Sequence, residues 1–162
     1  MALMVNDMVP SQIVNSNLPT IQTLLGIDID SDRDLGLDPS QLIAEGVPVT
    51  AVVRLKQLTG LSEEEMAQTV GMSRRTLSRR IQQARGDATK RLSAVESDRL
   101  YRLARIVAKA ADVFGDETTA LDWLKEPLSA LKGQTPLEAV KTEPGVQQVD
   151  LLLGRIEHGI FA

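Results

Sequence analysis

Between Leu55 and Ile81 the chain carries a start or stop signal at every point where a helix must begin or end, which leaves little choice of local structure. Ser62 precedes Glu63-Glu64-Glu65, so the Ser62 hydroxyl and the Glu65 carboxylate can satisfy each other's end of a helix, as in a capping box. Met66, Ala67 and Val70 follow at helical spacing. Gly71 supplies the positive φ of a sharp helix exit, and Ser73 is placed to cap the next helix. Leu77 and Ile81 give that second helix an apolar face, while Arg74, Arg75, Thr76, Ser78, Arg79 and Arg80 occupy its other faces. Ala67 is small where two helix backbones must approach closely. Two short helices, a tight turn and an arginine-rich second helix fit a unit that lays one helix in the major groove of DNA. The plainer alternative is a helical hairpin with a solvated basic face.

Charge distribution favours the first reading. The chain of 162 residues has a net charge of −4, which alone would argue against nucleic acid. From Arg54 to Arg91, however, nine Lys/Arg face four Asp/Glu, a local +5, and the rest therefore carries −9. That asymmetry implies one basic face for phosphates and acidic surface elsewhere. Aromatic residues are only 2%, which argues against binding single strands by base stacking. With no cysteine, disulfides and thiolate metal sites are excluded, and the chain fits a reducing cytoplasm. No apolar run approaches the ~20 residues of a membrane span, and the N-terminus lacks the positive start of a signal peptide.

Along the chain, residues 1–30 show no clear period and are expected to be weakly ordered. A short helix is expected over 39–45, capped by Asp38 and stopped by Gly46. Pro48 opens another helix to Thr59, although its VPVTAVV start could pass for a strand. After a break at Gly86-Asp87, a long helix runs from about Glu96 to Phe114, capped by Ser93 or Ser97. Its apolar residues Leu100, Leu103, Ala104, Val107, Ala108, Ala111 and Phe114 form the strongest amphipathic pattern in the sequence. Arg99, Arg102, Arg105 and Lys109 line its other side and read as a solvated face on which Asp98 can pair with Arg102, with phosphate contact the alternative. Shorter helices follow over 117–125 and 136–141, with LSALKGQTP a loop between them, and a last helix spans 144–158. No repeats and no convincing strands emerge, so the fold class is all-α.

The last helix has two apolar faces. Val146, Val149, Leu152, Leu153, Ile156 and Ile160 form a stripe expected to face the core, with Leu151, Gly154 and His158 roughly opposite. Ile160 and Phe161 are large apolar residues at the extreme end. Such surface docks into a groove or partner, unless both faces are buried within the domain or a dimer.

The segment 55–81 resembles a helix-turn-helix of the Xre (Cro/repressor-like) type, in its small Ala67, turn Gly71 and core Leu77. Arg80 stands where such motifs often carry an aliphatic residue, and Ile81 takes that place one residue later. The rest is similar to the toxin-binding region of the Xre/MbcA/ParS antitoxins. The matching pieces are Ser97-Asp98-Arg99-Leu100, Phe114-Gly115-Asp116, Ala120 with Trp123-Leu124, Gly133 through Thr135-Pro136-Leu137, Gly145, and Leu153-Gly154-Arg155-Ile156-Glu157-His158-Gly159. The resemblance covers about residues 31–162. It implies a helix-turn-helix domain over 31–95 and a small helical toxin-binding domain over 96–162. It further implies an antitoxin of a RES-Xre type II toxin-antitoxin system. The antitoxin would occlude a RES-domain toxin that degrades NAD or uses it for ADP-ribosylation, and would repress its own operon.

On this reading Ser73, Arg74, Arg75, Thr76, Ser78 and Arg79 contact operator double-stranded DNA. Trp123, Leu151, Arg155, His158, Ile160 and Phe161 contact the toxin. One helix-turn-helix makes few contacts, so a homodimer or a larger complex with toxin is expected. The rival class is a stand-alone Xre-family transcription regulator with a C-terminal dimerisation or ligand-sensing domain. An enzyme is not expected. The single histidine, His158, has no oriented partner, and Glu157 beside it points about 100 degrees away on a helix. Glu63-Glu64-Glu65 complement a helix dipole and lack metal-site spacing with a histidine. No cofactor or metal is called for.

Overall fold

The computed structural model describes residues 18–27 and 38–160. Nine α-helices order these residues: α1 (Ile21–Leu25), α2 (Pro39–Glu45), α3 (Val49–Thr59), α4 (Glu63–Val70), α5 (Arg74–Gly86), α6 (Ala94–Phe114), α7 (Glu117–Leu124), α8 (Pro136–Ala139) and α9 (Glu143–Glu157). A single 3₁₀ turn, Ser129–Leu131, falls inside the segment expected as a loop. The described fold is all-α, and none of its helices is long and apolar enough to cross a membrane.

Local signals set most of these limits. Asp38 accepts from the Ser40 N–H and Pro39 takes the first helical position of α2. Ser93, not Ser97, caps α6, in a reciprocal bond with Glu96. Ser97 is buried one turn on, and its hydroxyl accepts the Val47 N–H at 2.8 Å. The ambiguous Val47-Pro48 start of α3 resolves the same way. Leu92 N–H donates to the Val47 carbonyl at 2.8 Å and Val49 N–H to that of Lys90 at 3.0 Å, so two extended residues pair with the α5–α6 link before the helix begins.

Helix α6 is the axis of the fold. It packs on α1, α2 and α4 and also on α7 and α9. Leu100, Leu103, Ala104, Val107 and Ala111 are buried as their spacing requires, and Ile106 and Ala110 are buried as well. A helix in contact with five others needs a wider apolar arc than a single amphipathic stripe. One continuous apolar core therefore joins α3, α4 and α5 to α7, α8 and α9 through α6.

Two expectations need correction. Residues 1–30 are not uniformly weakly ordered: Ile21–Leu25 form α1, closed by reciprocal Thr20–Thr23 bonds, with Leu24 and Leu25 buried against the core. Five residues are too few for a period to show, so only the core contact reveals the helix. Residues 1–17 lie outside the described structure. The basic side of α6 is also not a free solvated face. Arg102 pairs with Asp98 at 2.5 Å as expected, but it also reaches Glu143 of α9 at 2.7 Å, and Lys109 Nζ lies 2.9 Å and Arg105 Nη1 4.0 Å from Asp150 of α9. These cations tie α6 to α9.

Candidate nucleic-acid interface and partner face

The α4–turn–α5 unit is built almost wholly from bonds between residues three to five apart. The Glu65 N–H donates to Ser62 Oγ at 3.1 Å and the Ser62 N–H to Glu65 Oε2 at 2.8 Å. That backbone donor holds the Glu65 carboxyl below its usual range. Gly71, at φ 81°, closes α4, and the N–H groups of Gly71 and Met72 both reach the Ala67 carbonyl. Only glycine takes this backbone without a steric cost. Ser73 Oγ then accepts the Thr76 N–H at 3.1 Å and donates its own proton to Thr76 Oγ1 at 2.9 Å. Leu77 and Ala84 are buried, and Ile81 is half-buried against the same core.

The expected DNA-contact residues divide in two. Arg74, Arg75, Ser78 and Arg79 stand exposed on α5, with no side-chain hydrogen bond or ion pair to any described residue. Ser73 and Thr76 are engaged with each other at the cap, and Thr76 is half-buried. Arg80 turns the other way. Its Nη1 meets Glu96 Oε2 at 2.5 Å, with 26% and 20% of the two side chains exposed. Burial raises the Glu96 carboxyl, but the bond from Arg80, the Ser93 N–H and the Arg80 charge together carry it below the usual range. The position that resemblance assigns to an aliphatic residue is thus filled by a paired arginine stem, and Ile81 supplies the apolar contact.

Above this unit, Arg99 of α6 covers the turn. Its Nη1 donates to the Val70 carbonyl at 3.4 Å, and a Cβ on Gly71 would lie 1.5 Å from that nitrogen. Sequence spacing offered no sign of this contact, since Gly71 and Arg99 lie in different helical units.

On α9, Val146, Val149 and Leu153 are buried, and Leu152 and Ile156 half-buried, as the stripe predicts. Ile160 leaves that stripe. The helix ends at Glu157, the Ile160 N–H turns back to the Arg155 carbonyl at 2.8 Å, and 59% of Ile160 is exposed. Leu151 is 58% exposed, and Arg155 and His158 follow it at helical spacing on the exposed side. Trp123 stands apart on α7, half-buried, its ring 5.6 Å from that of Phe114. Phe161 lies outside the described residues. Gly145 marks a close approach: a Cβ there would fall 1.7 Å from the Ala139 carbonyl oxygen, where α9 rests on the end of α8.

Two clefts flank the unit. One of about 290 Å³ lies between α3 and α5, with Val53 and Ile81 in its wall and Arg54 and Arg85 at its edge. The other, of about 280 Å³, lies beside the α3–α4 turn with Lys125, Glu138 and Lys141 around it.

Comparison with known proteins finds two matching family models along the chain. Residues 38–105 match the family model of the antitoxin Xre-like helix-turn-helix domain. Residues 109–159 match that of the antitoxin Xre/MbcA/ParS C-terminal toxin-binding domain. The two matches meet inside α6. An Antitoxin Xre of Yersinia enterocolitica is 37% identical over 59 residues, 36% of this chain and 40% of that protein. An Antitoxin Xre of Photorhabdus laumondii is 42% identical over 59 residues, with the same coverage of both chains. The chain thus spans less than half the length of these relatives. A chain of the M. tuberculosis MbcT-MbcA toxin-antitoxin complex is similar at a TM-score of 0.47 and 26% identity, over 70% of this chain and 96% of that one.

Proposed function

The chain belongs to the antitoxins that join an Xre-like helix-turn-helix to an Xre/MbcA/ParS C-terminal toxin-binding domain, and from that premise we propose a function with two arms. Residues 31–95 bind operator DNA through α5 and repress the chain's own operon. Residues 96–162 hold a cognate RES-domain toxin, one that degrades NAD or uses it for ADP-ribosylation, and occlude its active site. The protein acts by binding and covers chemistry performed by its partner. It works in the cytoplasm, as a homodimer or a larger complex with toxin.

One observation carries the reading. The two domains share a core, and each leaves a surface uncovered: exposed arginines on α5, and Leu151 and Ile160 at the far end. Cationic side chains without internal partners suit phosphates and guanine edges. Exposed large apolar residues suit a protein partner.

The test is co-expression of the full chain with the product of the adjacent gene. The expected result is restored growth, preserved cellular NAD, and a complex that survives purification and shifts DNA from upstream of the operon. A chain that represses transcription but neither binds nor neutralises the neighbouring product would instead be a stand-alone regulator.

A further inference from the structure

The outward face of α5 extends beyond its arginines. On a helix of 3.6 residues per turn, buried Ala84 and Leu77 lie about 180° and 160° from Arg75 around the axis. Arg75 therefore marks the centre of the face turned from the core. Seven residues on, Gln82 returns to within about 20° of Arg75, with Ser78 and Arg79 between them. Gln83 is about 80° off that line and Arg74 about 100°. Gln82 is exposed, and its amide has no side-chain partner among the described residues. Arg75, Ser78, Arg79 and Gln82 thus form one exposed ridge at i, i+3, i+4 and i+7. A helix seated in a major groove presents such a ridge to base edges.

We infer that Gln82 is a base-reading residue that recognises adenine, one helical step beyond the arginine contacts. This rests on the proposed DNA-binding role of α5. The chemistry follows from the amide. Its carbonyl accepts and its NH₂ donates side by side, matching the N6 donor and N7 acceptor that adenine shows in the major groove. Being neutral, Gln82 gains little from phosphates, unlike its arginine neighbours. It stands ~10.5 Å along the helix from Arg75, two turns away on the same face.

The experiment selects from a pool of randomised double-stranded DNA with the full-length chain, as wild type, Gln82→Ala, Gln82→Glu and Arg75→Ala. Thermal unfolding checks that all four are equally folded. Gln82→Ala should lose the preference for adenine at one position per half-site and keep the others. Its affinity for the wild-type site should fall about five- to 150-fold, while the salt slope is unchanged. Gln82→Glu should move the preference at that position toward cytosine, whose N4 donates to a carboxylate. The affected position should differ from any position altered by Arg75→Ala. If Gln82→Ala keeps every preference, or loses affinity equally for selected and random DNA, Gln82 does not read a base. If Arg75→Ala is also without effect, or the wild type selects no sequence, the DNA-binding role of α5 falls with it.

Discussion

Arg80 of the recognition helix and Glu96 of the long helix meet at 2.5 Å, and the same carboxylate accepts the Ser93 N–H that begins α6. One side chain therefore both caps α6 and fixes α5 against it. Glu96→Ala removes both bonds and leaves a half-buried guanidinium without its partner. It should cost about 1–3 kcal/mol of stability, measured by urea unfolding. Glu96→Gln, which keeps a capping acceptor, should cost less. Equal stability of Glu96→Ala and wild type would mean that the pair contributes nothing.

The same pair sets a pH dependence. The folded Glu96 carboxyl titrates below its ordinary value. The stability it contributes is therefore fully present above the ordinary carboxylate range and is lost as pH falls through the lowered folded value. The stability difference between wild type and Glu96→Gln should narrow on acidification, in unfolding curves taken from neutral pH downward. Glu65, Asp87 and Asp116 are lowered too, by bonds from Ser62, Thr89 and Thr119, so the whole protein should weaken in acid.

Gly145→Ala should destabilise the fold by about 1–3 kcal/mol, through overpacking of α9 on the Ala139 carbonyl. The obstacle is backbone and cannot swing aside. Calorimetry should show a lower melting temperature for this variant, whereas Gly154→Ala, with open space at its Cβ, should not lower it by a comparable amount. Similar losses for both would mean that the Ala139 contact is not the cause, since Gly→Ala by itself favours a helix.

Leu151→Asp places a charge on a side chain that the folded chain leaves exposed. Unfolding free energy should change by no more than about 0.5 kcal/mol. Toxin affinity should fall by about 2 kcal/mol or more if Leu151 is central to the contact. A chain ending at Gly154 is the stronger form of the test. It keeps buried Val146, Val149 and Leu153, so it should fold and bind DNA, yet fail to restore growth. Full protection by that truncated chain would sink occlusion by the C-terminal end.

The limits of α2, α4 and α5 and the turn at Gly71 were legible before any fold was known. Their bonds join residues no more than five apart, so the side chains that make them stand together in the sequence. The buried stripes of α6 and α9 were legible for a similar reason, since helical periodicity brings their apolar residues onto one face. Contacts between distant segments were not. Arg80–Glu96 joins residues 16 apart, Lys109–Asp150 41, and Val47–Ser97 50. Nothing local distinguishes a cation that pairs across helices from one that faces solvent. For that reason the α6 cations read as a solvated face, residues 21–25 as weakly ordered, and Ile160 both as part of the core stripe and as a partner-facing end. Their roles follow from the packing of α6 on five other helices and from the turn that ends α9, which set what lies within a few ångströms of each side chain.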